Sequence, residues 1–275
     1  MAPKTPSVEL VRAMKELRLG QIVPTLADRI TLAEKGDLPI EDFLLGLFTD
    51  EIERRRDASS TRRAHQAGLE PDMQFERWDK TAKVSFDRRV LQELTSLRFV
   101  EALRNVVVLG PVGVGKTFIA NALGHVACRS GFNVRFHRGD DLLPLLRQSR
   151  LDNSREVLMT ELTTVDLLII DDFALEPMTR DESRDVYQLF IERTGKTATI
   201  ITSNRDTAEW LAVFDEPIRG QGAVDRFKNN AYDLVVDGES YRSRLKPSID
   251  KDGPPPSAPV TKPKPLLRRR KRARA

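Results

Sequence analysis

The chain has 275 residues, and its formal net charge of +4 at neutral pH conceals an uneven distribution. Eight of the 45 basic residues and none of the 41 acidic ones lie between Pro254 and Ala275, so the rest of the chain carries a net charge of −4. A hydrophobic fraction of 40% excludes a fully disordered protein. One cysteine excludes an internal disulfide, and the lack of a long apolar run excludes a membrane-spanning helix, so we expect a cytoplasmic protein.

Residues 1–67 show helical periodicity and are expected to form an N-terminal helical domain that contacts a partner, DNA or other copies of the chain. Pro24 and the stretch Gly36–Pro39 divide this domain into at least three helices. The third helix carries a run of arginines between Arg54 and Arg63. Such a run is either a solvated helix face or a surface that contacts phosphates.

Residues 68–103 form a predicted connector with short helical pieces. Its aromatic residues Phe75 and Trp78 stand in a polar neighbourhood. Aromatic residues in such a segment are expected to dock it against the following domain, and base stacking is the alternative.

Residues 104–246 alternate short apolar runs with longer amphipathic segments. The predicted strands are the runs 106–109, 134–136, 167–170, 198–201 and 234–236. Continuous apolar runs of this length, separated by helices, indicate an α/β fold with a parallel sheet covered by helices on both faces. Thr179 and Glu182 predict a capping box at the start of one of these helices. Residues 247–275 are rich in proline and then basic, so we expect a disordered tail.

A complete phosphate-binding motif follows the first predicted strand of this region. Its residues are Gly110, Pro111, Val112, Gly113, Val114, Gly115, Lys116 and Thr117, in the pattern G-x-x-x-x-G-K-T. Glycines in such a loop let backbone N–H groups turn inward around an anion, and the start of the following helix adds its positive dipole end. We expect Lys116 to bind the β- and γ-phosphates of ATP, and the Thr117 hydroxyl to bind Mg²⁺.

Polar residues end two of the later predicted strands. Asp171 and Asp172 follow the apolar run 167–170, and Asn204 follows the next strand along the chain. By itself a strand-end pair of aspartates is more typical of a turn or a helix cap. After a phosphate-binding loop, Asp171 is expected to hold Mg²⁺ and Asp172 to orient or deprotonate the attacking water.

The ordered motifs of this region resemble those of one protein family. They are the phosphate-binding loop, I-I-D-D at 169–172, I-T-S-N-R at 201–205, D-R-F at 225–227 and G-E-S-Y-R at 238–242. In this order they resemble the AAA+ ATPases of the IstB/DnaC type. Within that type they resemble most the IstB transposition helpers of bacterial insertion sequences. The resemblance extends over residues 8–246.

This resemblance implies roles for three further residues. Asn204 is similar to the sensor-1 asparagine, and Arg226 lies where the family places an arginine finger that acts on a neighbouring subunit's nucleotide. Arg242 is similar to a sensor-2 arginine. A salt bridge of Arg226 with Asp225 or a nearby acid, and a structural role for Arg242, are the alternatives. Because the aspartate pair replaces the usual Asp-Glu, the resemblance implies slow, partner-stimulated hydrolysis.

The function that the resemblance implies is that of an ATPase of an insertion sequence. The chain would form a homo-oligomer with ATP at its subunit interfaces and assemble on double-stranded DNA largely without regard to sequence. It would recruit or activate the transposase encoded beside it, and no membrane is involved. The alternatives are a DnaC-type helicase loader, a small-molecule or nucleoside kinase, and an ATP-bound scaffold without useful hydrolysis.

Overall fold

The structure, a computed structural model, describes residues 5–242 of the chain, and the predicted tail at 247–275 lies outside them. The helices are α1 (Val8–Glu16), α2 (Val23–Lys35), α3 (Ile40–Ala67), α4 (Arg88–Thr95), α5 (Arg98–Glu101), α6 (Lys116–Arg129), α7 (Gly139–Leu151), α8 (Arg155–Thr164), α9 (Arg180–Arg193) and α10 (Pro217–Lys228). The strands are β1 (Val84–Ser85), β2 (Asn105–Leu109), β3 (Val134–Arg138), β4 (Leu167–Asp171), β5 (Ala198–Ser203), β6 (Ala231–Val235) and β7 (Asp237–Gly238). Within residues 5–242, none of these helices is long and apolar enough to cross a membrane.

Five parallel strands form the central sheet in the order β3-β4-β5-β2-β6. The side chains of β2, β4 and β5 alternate between two large buried clusters, one on each face of the sheet. Helix α6 packs on one face, and α7 to α10 pack on the other. The predicted doubly wound α/β fold is therefore confirmed, and it gathers the carboxyl ends of β2, β4 and β5 at one edge.

The last strand of the sheet differs from its predicted position at 234–236. Strand β6 begins at Ala231 and ends at Val235, and it pairs with β2 at the edge of the sheet. Its early residues are only partly buried, and Leu234 is its one fully buried side chain. An edge strand needs no continuous apolar run, so the apolar pattern alone marks only the end of β6.

Three N-terminal helices are present, as predicted. Met14, Ile22, Leu26 and Leu47 form a small apolar cluster between α1, α2 and α3. The C-terminal end of α3 packs on the sheet, because Ala64 and Ala67 are buried in the same apolar cluster as residues of strand β2. One continuous helix therefore joins the N-terminal helices to the core of the sheet.

Three arginines of α3 make contacts within the protein. Arg54 and Arg55 both form ion pairs with Glu51 of the same helix, whose side chain is 4% exposed. The guanidinium of Arg63 donates two hydrogen bonds to the carbonyl of Cys128 at the end of α6, at 3.0 and 2.7 Å. The contacts of Arg63 hold the end of α3 against α6, whereas the ion pairs of Arg54 and Arg55 with Glu51 lie within α3.

The connector docks against the sheet domain, as predicted from its aromatic residues. Phe75 and Trp78 pack against the buried cluster on the α6 face. The ring of Trp78 meets that of Phe118 edge to face, with centroids 5.1 Å apart. Beyond Trp78, the short strand β1 pairs antiparallel with β7, so the connector also meets the segment that follows β6.

Candidate nucleotide-binding site

The loop between β2 and α6 has the backbone conformation of an anion-binding loop. Gly110, Gly113 and Gly115 have φ angles of 153°, 88° and 100°, a region that glycine enters without steric cost. A Cβ atom on Gly110 would overlap the carbonyl oxygen of Val236, and one on Gly113 would overlap the hydroxyl of Ser240. Glycine is thus required at both positions for conformation and for space.

The segment after β6 lies against this loop and holds it. Val236 donates its backbone N–H to the carbonyl of Leu109 at 2.7 Å, and Tyr241 donates its backbone N–H to the carbonyl of Gly113 at 2.9 Å. We call residues 236–242 the loop strap. Because β7 lies within the strap and pairs with β1, the loop, the connector and the strap form one unit.

Lys116 points back over the loop. Its ammonium group donates hydrogen bonds to the carbonyls of Gly110 and Pro111, both at 2.8 Å. The side chain is buried, and this burial lowers the pKa of Lys116, although the nearby carboxylates of Asp172 and Asp171 oppose the shift. A buried cation that is held only by two carbonyls is well placed to exchange them for phosphate oxygens.

Asp171 lies at the end of β4 between two hydroxyl groups. Thr117 donates a hydrogen bond to its Oδ2 at 2.9 Å, and Thr202 donates one to its Oδ1 at 2.6 Å. Burial raises the pKa of Asp171, whereas the two hydroxyl hydrogen bonds lower it. The hydroxyl of Thr117 on α6 and the carboxylate of Asp171 on β4 are therefore in direct contact beside the loop.

Asp172 has a left-handed backbone with a φ angle of 53°, and its half-buried side chain faces a cavity. The guanidinium of Arg138 at the end of β3 lies 3.9 Å from its Oδ2. Asn204 follows β5, is exposed, and lines the same cavity. The two polar groups predicted to act on the attacking water are thus brought to one side of the phosphate-binding loop.

The cavity beside the loop has a volume of about 480 Å³. Lys116, Thr117, Asp172 and Asn204 line its polar side. The connector and the loop strap contribute its apolar wall, whose residues are Met73, Trp78, Ala82, Val84 and Tyr241. Apart from Tyr241 of the G-E-S-Y-R motif, these apolar residues belong to no motif. They come together only in the fold, through the β1–β7 pairing and the packing of Trp78 on Phe118, so the sequence does not predict this wall.

The structure separates the two arginines that the resemblance singled out. Arg242 lines the cavity, and its charge acts on the ammonium group of Lys116. Arg226 is exposed on α10 and does not line the cavity. Among the side chains that the structure describes, none forms an ion pair with Arg226 or Asp225, so the alternative of a salt bridge within the subunit is not realised among them.

The residues present suit a nucleotide with Mg²⁺. The inward-turned loop offers backbone donors at the start of the 14-residue helix α6, which is where phosphate groups bind best. The hydroxyl of Thr117 and the carboxylate of Asp171 are oxygen ligands of the kind that Mg²⁺ binds together with phosphates and water.

Comparison with known sequences identifies similar proteins over most of the chain. The family model of IstB-like ATP binding proteins matches residues 12–248. An ATP-binding protein in an insertion sequence of Mycobacterium tuberculosis is 38% identical over 240 residues, which covers 86% of this chain and 95% of that protein. The insertion sequence IS21 ATP-binding protein of Pseudomonas aeruginosa is 32% identical over 238 residues, covering 86% and 90% of the two chains.

Solved structures with similar folds confirm the predicted AAA+ fold class. The crystal structure of DnaI superimposes with a TM-score of 0.52 at 18% identity, covering 59% of this chain and 90% of that one. The replication initiator DnaA bound to AMPPCP and single-stranded DNA gives a TM-score of 0.51 at 20% identity, covering 62% and 51%. At such low identity these structures show the fold alone.

Proposed function

The chain belongs to the family of IstB-like ATP-binding proteins, and from this premise we propose that it is an ATPase of an insertion sequence that assembles on DNA and acts on a transposase. The observation that carries the ATPase part is the position of Asp171. Its carboxylate contacts Thr117 at the end of the phosphate-binding loop and lies next to Asp172, which faces the cavity. The name of the similar mycobacterial protein supports an insertion-sequence context.

Each polar residue of the cavity has a proposed part in hydrolysis. The ammonium group of Lys116 exchanges its carbonyl partners for the β- and γ-phosphates. Thr117 and Asp171 hold Mg²⁺, which when bound supplies positive charge against the phosphates. Asp172 accepts a proton from the attacking water, and the amide of Asn204 orients that water. The apolar wall around Trp78 covers the base of the nucleotide.

We propose that Arg226 completes the site of a neighbouring copy of the chain. It is exposed, it has no ion-pair partner within residues 5–242, and it lies away from its own subunit's cavity. An arginine supplied to a phosphoryl-transfer site by a neighbour accelerates hydrolysis by roughly 10³–10⁵-fold. ATP would then be hydrolysed only between subunits, which ties turnover to assembly.

A mixing experiment tests this division of the site. Lys116→Ala removes the phosphate contact and Arg226→Ala removes the finger, so each variant alone is expected to be inactive. An equal mixture is expected to recover about a quarter of the wild-type rate, because a quarter of the interfaces join an intact loop to an intact Arg226. Full activity of Arg226→Ala alone would show that the site is complete within one chain.

The DNA and transposase parts need a separate measurement. Binding of duplex DNA at low salt is expected to require ATP and to be insensitive to sequence, because contacts with phosphates carry no sequence information. Capture of the transposase encoded beside the chain, with and without ATP, tests the partner. If a replicative helicase were captured in its place, the helicase-loader alternative would be supported. Absence of duplex binding at high protein concentration would contradict the proposal.

A further inference from the structure

Thr202, the second residue of the I-T-S-N-R motif, is fully buried near the end of β5. Its neighbour in register on β2 is Val108, and the preceding residues Ile200 and Ile201 are also buried and apolar. An apolar β-branched side chain would suit such a position. The hydroxyl of Thr202 is therefore not explained by the packing of the sheet.

The hydrogen bonds of this hydroxyl have only one consistent direction. The backbone N–H of Asp172 can only donate, and it lies 2.9 Å from the Thr202 oxygen. The hydroxyl proton is thus free to point at Oδ1 of Asp171, at 2.6 Å. This one buried hydroxyl accepts a hydrogen bond from Asp172 and donates one to Asp171, so it binds both the last residue of β4 and the residue that follows it.

This arrangement gives the two oxygens of Asp171 different surroundings. Oδ1 is held by Thr202 on the side of β5, and Oδ2 is in contact with Thr117 on the side of the loop. A hydrogen bond between a buried hydroxyl and a carboxylate fixes the rotation of the carboxylate and orders it for a cation. Oδ2 thereby stays turned toward Thr117.

The backbone of Thr202 holds the same turn. Its carbonyl accepts a hydrogen bond from the N–H of Phe173 at 2.9 Å. Together with the hydroxyl contact to the N–H of Asp172, this bond holds the left-handed conformation of Asp172. The carboxylate of Asp172 is thus kept toward the cavity while that of Asp171 stays beside Thr117.

We propose that Thr202 is a positioning residue, which orients the Asp171 carboxylate for Mg²⁺ through its hydroxyl and holds Asp172 in place for its separate task. The inference deepens the proposed ATPase function, on which it rests. Loss of a partner that orients a metal ligand typically weakens metal binding by roughly 10- to 100-fold. The same change is therefore expected here when the hydroxyl is removed and the shape is kept.

The test is a titration of Mg²⁺ against the binding of a fluorescent ATP analogue to the full chain. Thr202→Val should raise the half-saturating Mg²⁺ concentration by roughly 10- to 100-fold. Its binding of the analogue in EDTA should equal that of the wild type. Thr202→Ser, which keeps the hydroxyl, should restore the Mg²⁺ response. If Thr202→Val fails to fold, Thr202→Ala takes its place in the same titration.

The matched control is Thr199→Val on the same strand. Thr199 is also buried, and its hydroxyl accepts a hydrogen bond from Arg193 at 2.8 Å, away from the site. This variant should lower the melting temperature and leave the Mg²⁺ response unchanged. An unchanged response in Thr202→Val, or a Thr202→Ser variant as impaired as Thr202→Val, would overturn the proposal. A wild type that binds the analogue with Mg²⁺ but never hydrolyses ATP would contradict the ATPase function instead.

Discussion

At the scale of single residues, the turn after β4 is held in an unusual backbone conformation. Asp172 and Ala174 have φ angles of 53° and 65°, and such a conformation costs a residue with a side chain about 1–2 kcal/mol. The turn keeps it because Ser203 donates a hydrogen bond from its hydroxyl to the carbonyl of Phe173 at 2.9 Å, in addition to the contacts of Thr202. Strain that is held in this way is typical of residues with a task in binding or catalysis.

Replacement of the proposed proton acceptor tests that task. Asp172→Asn keeps the shape and the backbone donor, and removes only the charge. We expect ATP hydrolysis to fall by roughly 10²–10⁴-fold, the usual contribution of a positioned base, while affinity for the nucleotide stays within a few-fold. Asp206→Asn is the matched control, because Asp206 lies after β5 and accepts a hydrogen bond from the N–H of Ala208. Equal rates for the two variants would remove Asp172 from the mechanism.

At the scale of elements, the loop strap and the phosphate-binding loop depend on each other. Ser240 of the strap occupies the space in which a Cβ atom on Gly113 would lie, so residue 113 of the loop can carry no side chain. Any displacement of the strap would also break the hydrogen bond from Tyr241 to the carbonyl of Gly113. The shape of the loop is therefore set partly by residues more than a hundred positions away.

Two glycine substitutions separate this contact from backbone strain. Gly113 and Gly131 both have a positive φ, of 88° and 98°, so an alanine at either position is strained. The added Cβ atom of Gly113→Ala would also clash with Ser240, whereas that of Gly131→Ala would meet nothing within 4 Å. Both are expected to lose about 1 kcal/mol or more of unfolding free energy to strain. Only Gly113→Ala should also weaken nucleotide binding, by tenfold or more, as measured by titration with a fluorescent analogue. Equal affinities in the two variants would show that the strap does not shape the loop.

Helix α3 contains a second testable element, the ion pairs of Glu51. The hydrogen bonds that Arg54 donates to the carboxylate of Glu51 lower the pKa of Glu51 from 4.5 to about 2. A carboxyl whose pKa is lower in the folded state than in the unfolded state stabilises the folded protein at pH values above its unfolded-state pKa. This stabilisation is lost as the pH falls through the folded-state pKa. Glu51→Gln should lower the melting temperature by about 2–4 °C at pH 7, and the difference should vanish between pH 4.5 and pH 2.

The control for this pH dependence is Glu53→Gln on the same helix. Glu53 is exposed, so its replacement should change the melting temperature little at either pH. Thermal unfolding followed by circular dichroism from pH 7 to pH 2 measures both variants. A gap between wild type and Glu51→Gln that stays constant down to pH 2 would contradict the role given to Glu51.

The parts of the fold that could be predicted are those with a local signal. The phosphate-binding loop and the strand before Asp171 are contiguous in sequence, and their residue types are dictated by an anion and by burial on both faces. The sequence predicts that Trp78 docks the connector, but neither its place in the cavity wall nor the hydrogen bonds of Thr202 could be predicted in this way. Both depend on residues such as Tyr241 and Asp171 that lie far along the chain. The sequence leaves the arginine run of α3 open between a solvated helix face and a phosphate-contacting surface. Within it, the contact of Arg63 with the carbonyl of Cys128 depends on a partner far along the chain and so leaves no trace in the local sequence.

At the scale of the whole molecule, the charge distribution limits how the proposed contacts with DNA could form. Without Pro254–Ala275 the chain has a net charge of −4, and three arginines of α3 are already bound to the protein. A broad positive face on one subunit is therefore not expected from the composition. Contacts with DNA would come from a surface formed on assembly and from the eight basic residues of the C-terminal segment.

Truncation at residue 253 separates these two sources. Each phosphate contact that is lost reduces the slope of log affinity against log salt by about 0.9, so removing the eight basic residues should flatten the dependence markedly. Binding of duplex DNA should weaken most at low salt, while affinity for the ATP analogue stays unchanged because the cavity is built from residues 73–242. The salt slope is obtained from duplex-DNA binding between about 50 and 200 mM salt, and the nucleotide affinity from titration with the ATP analogue, each on the full and the truncated chain. An unchanged salt slope would assign the DNA contacts to the folded part, whereas loss of nucleotide binding would show that the C-terminal segment takes part in the site.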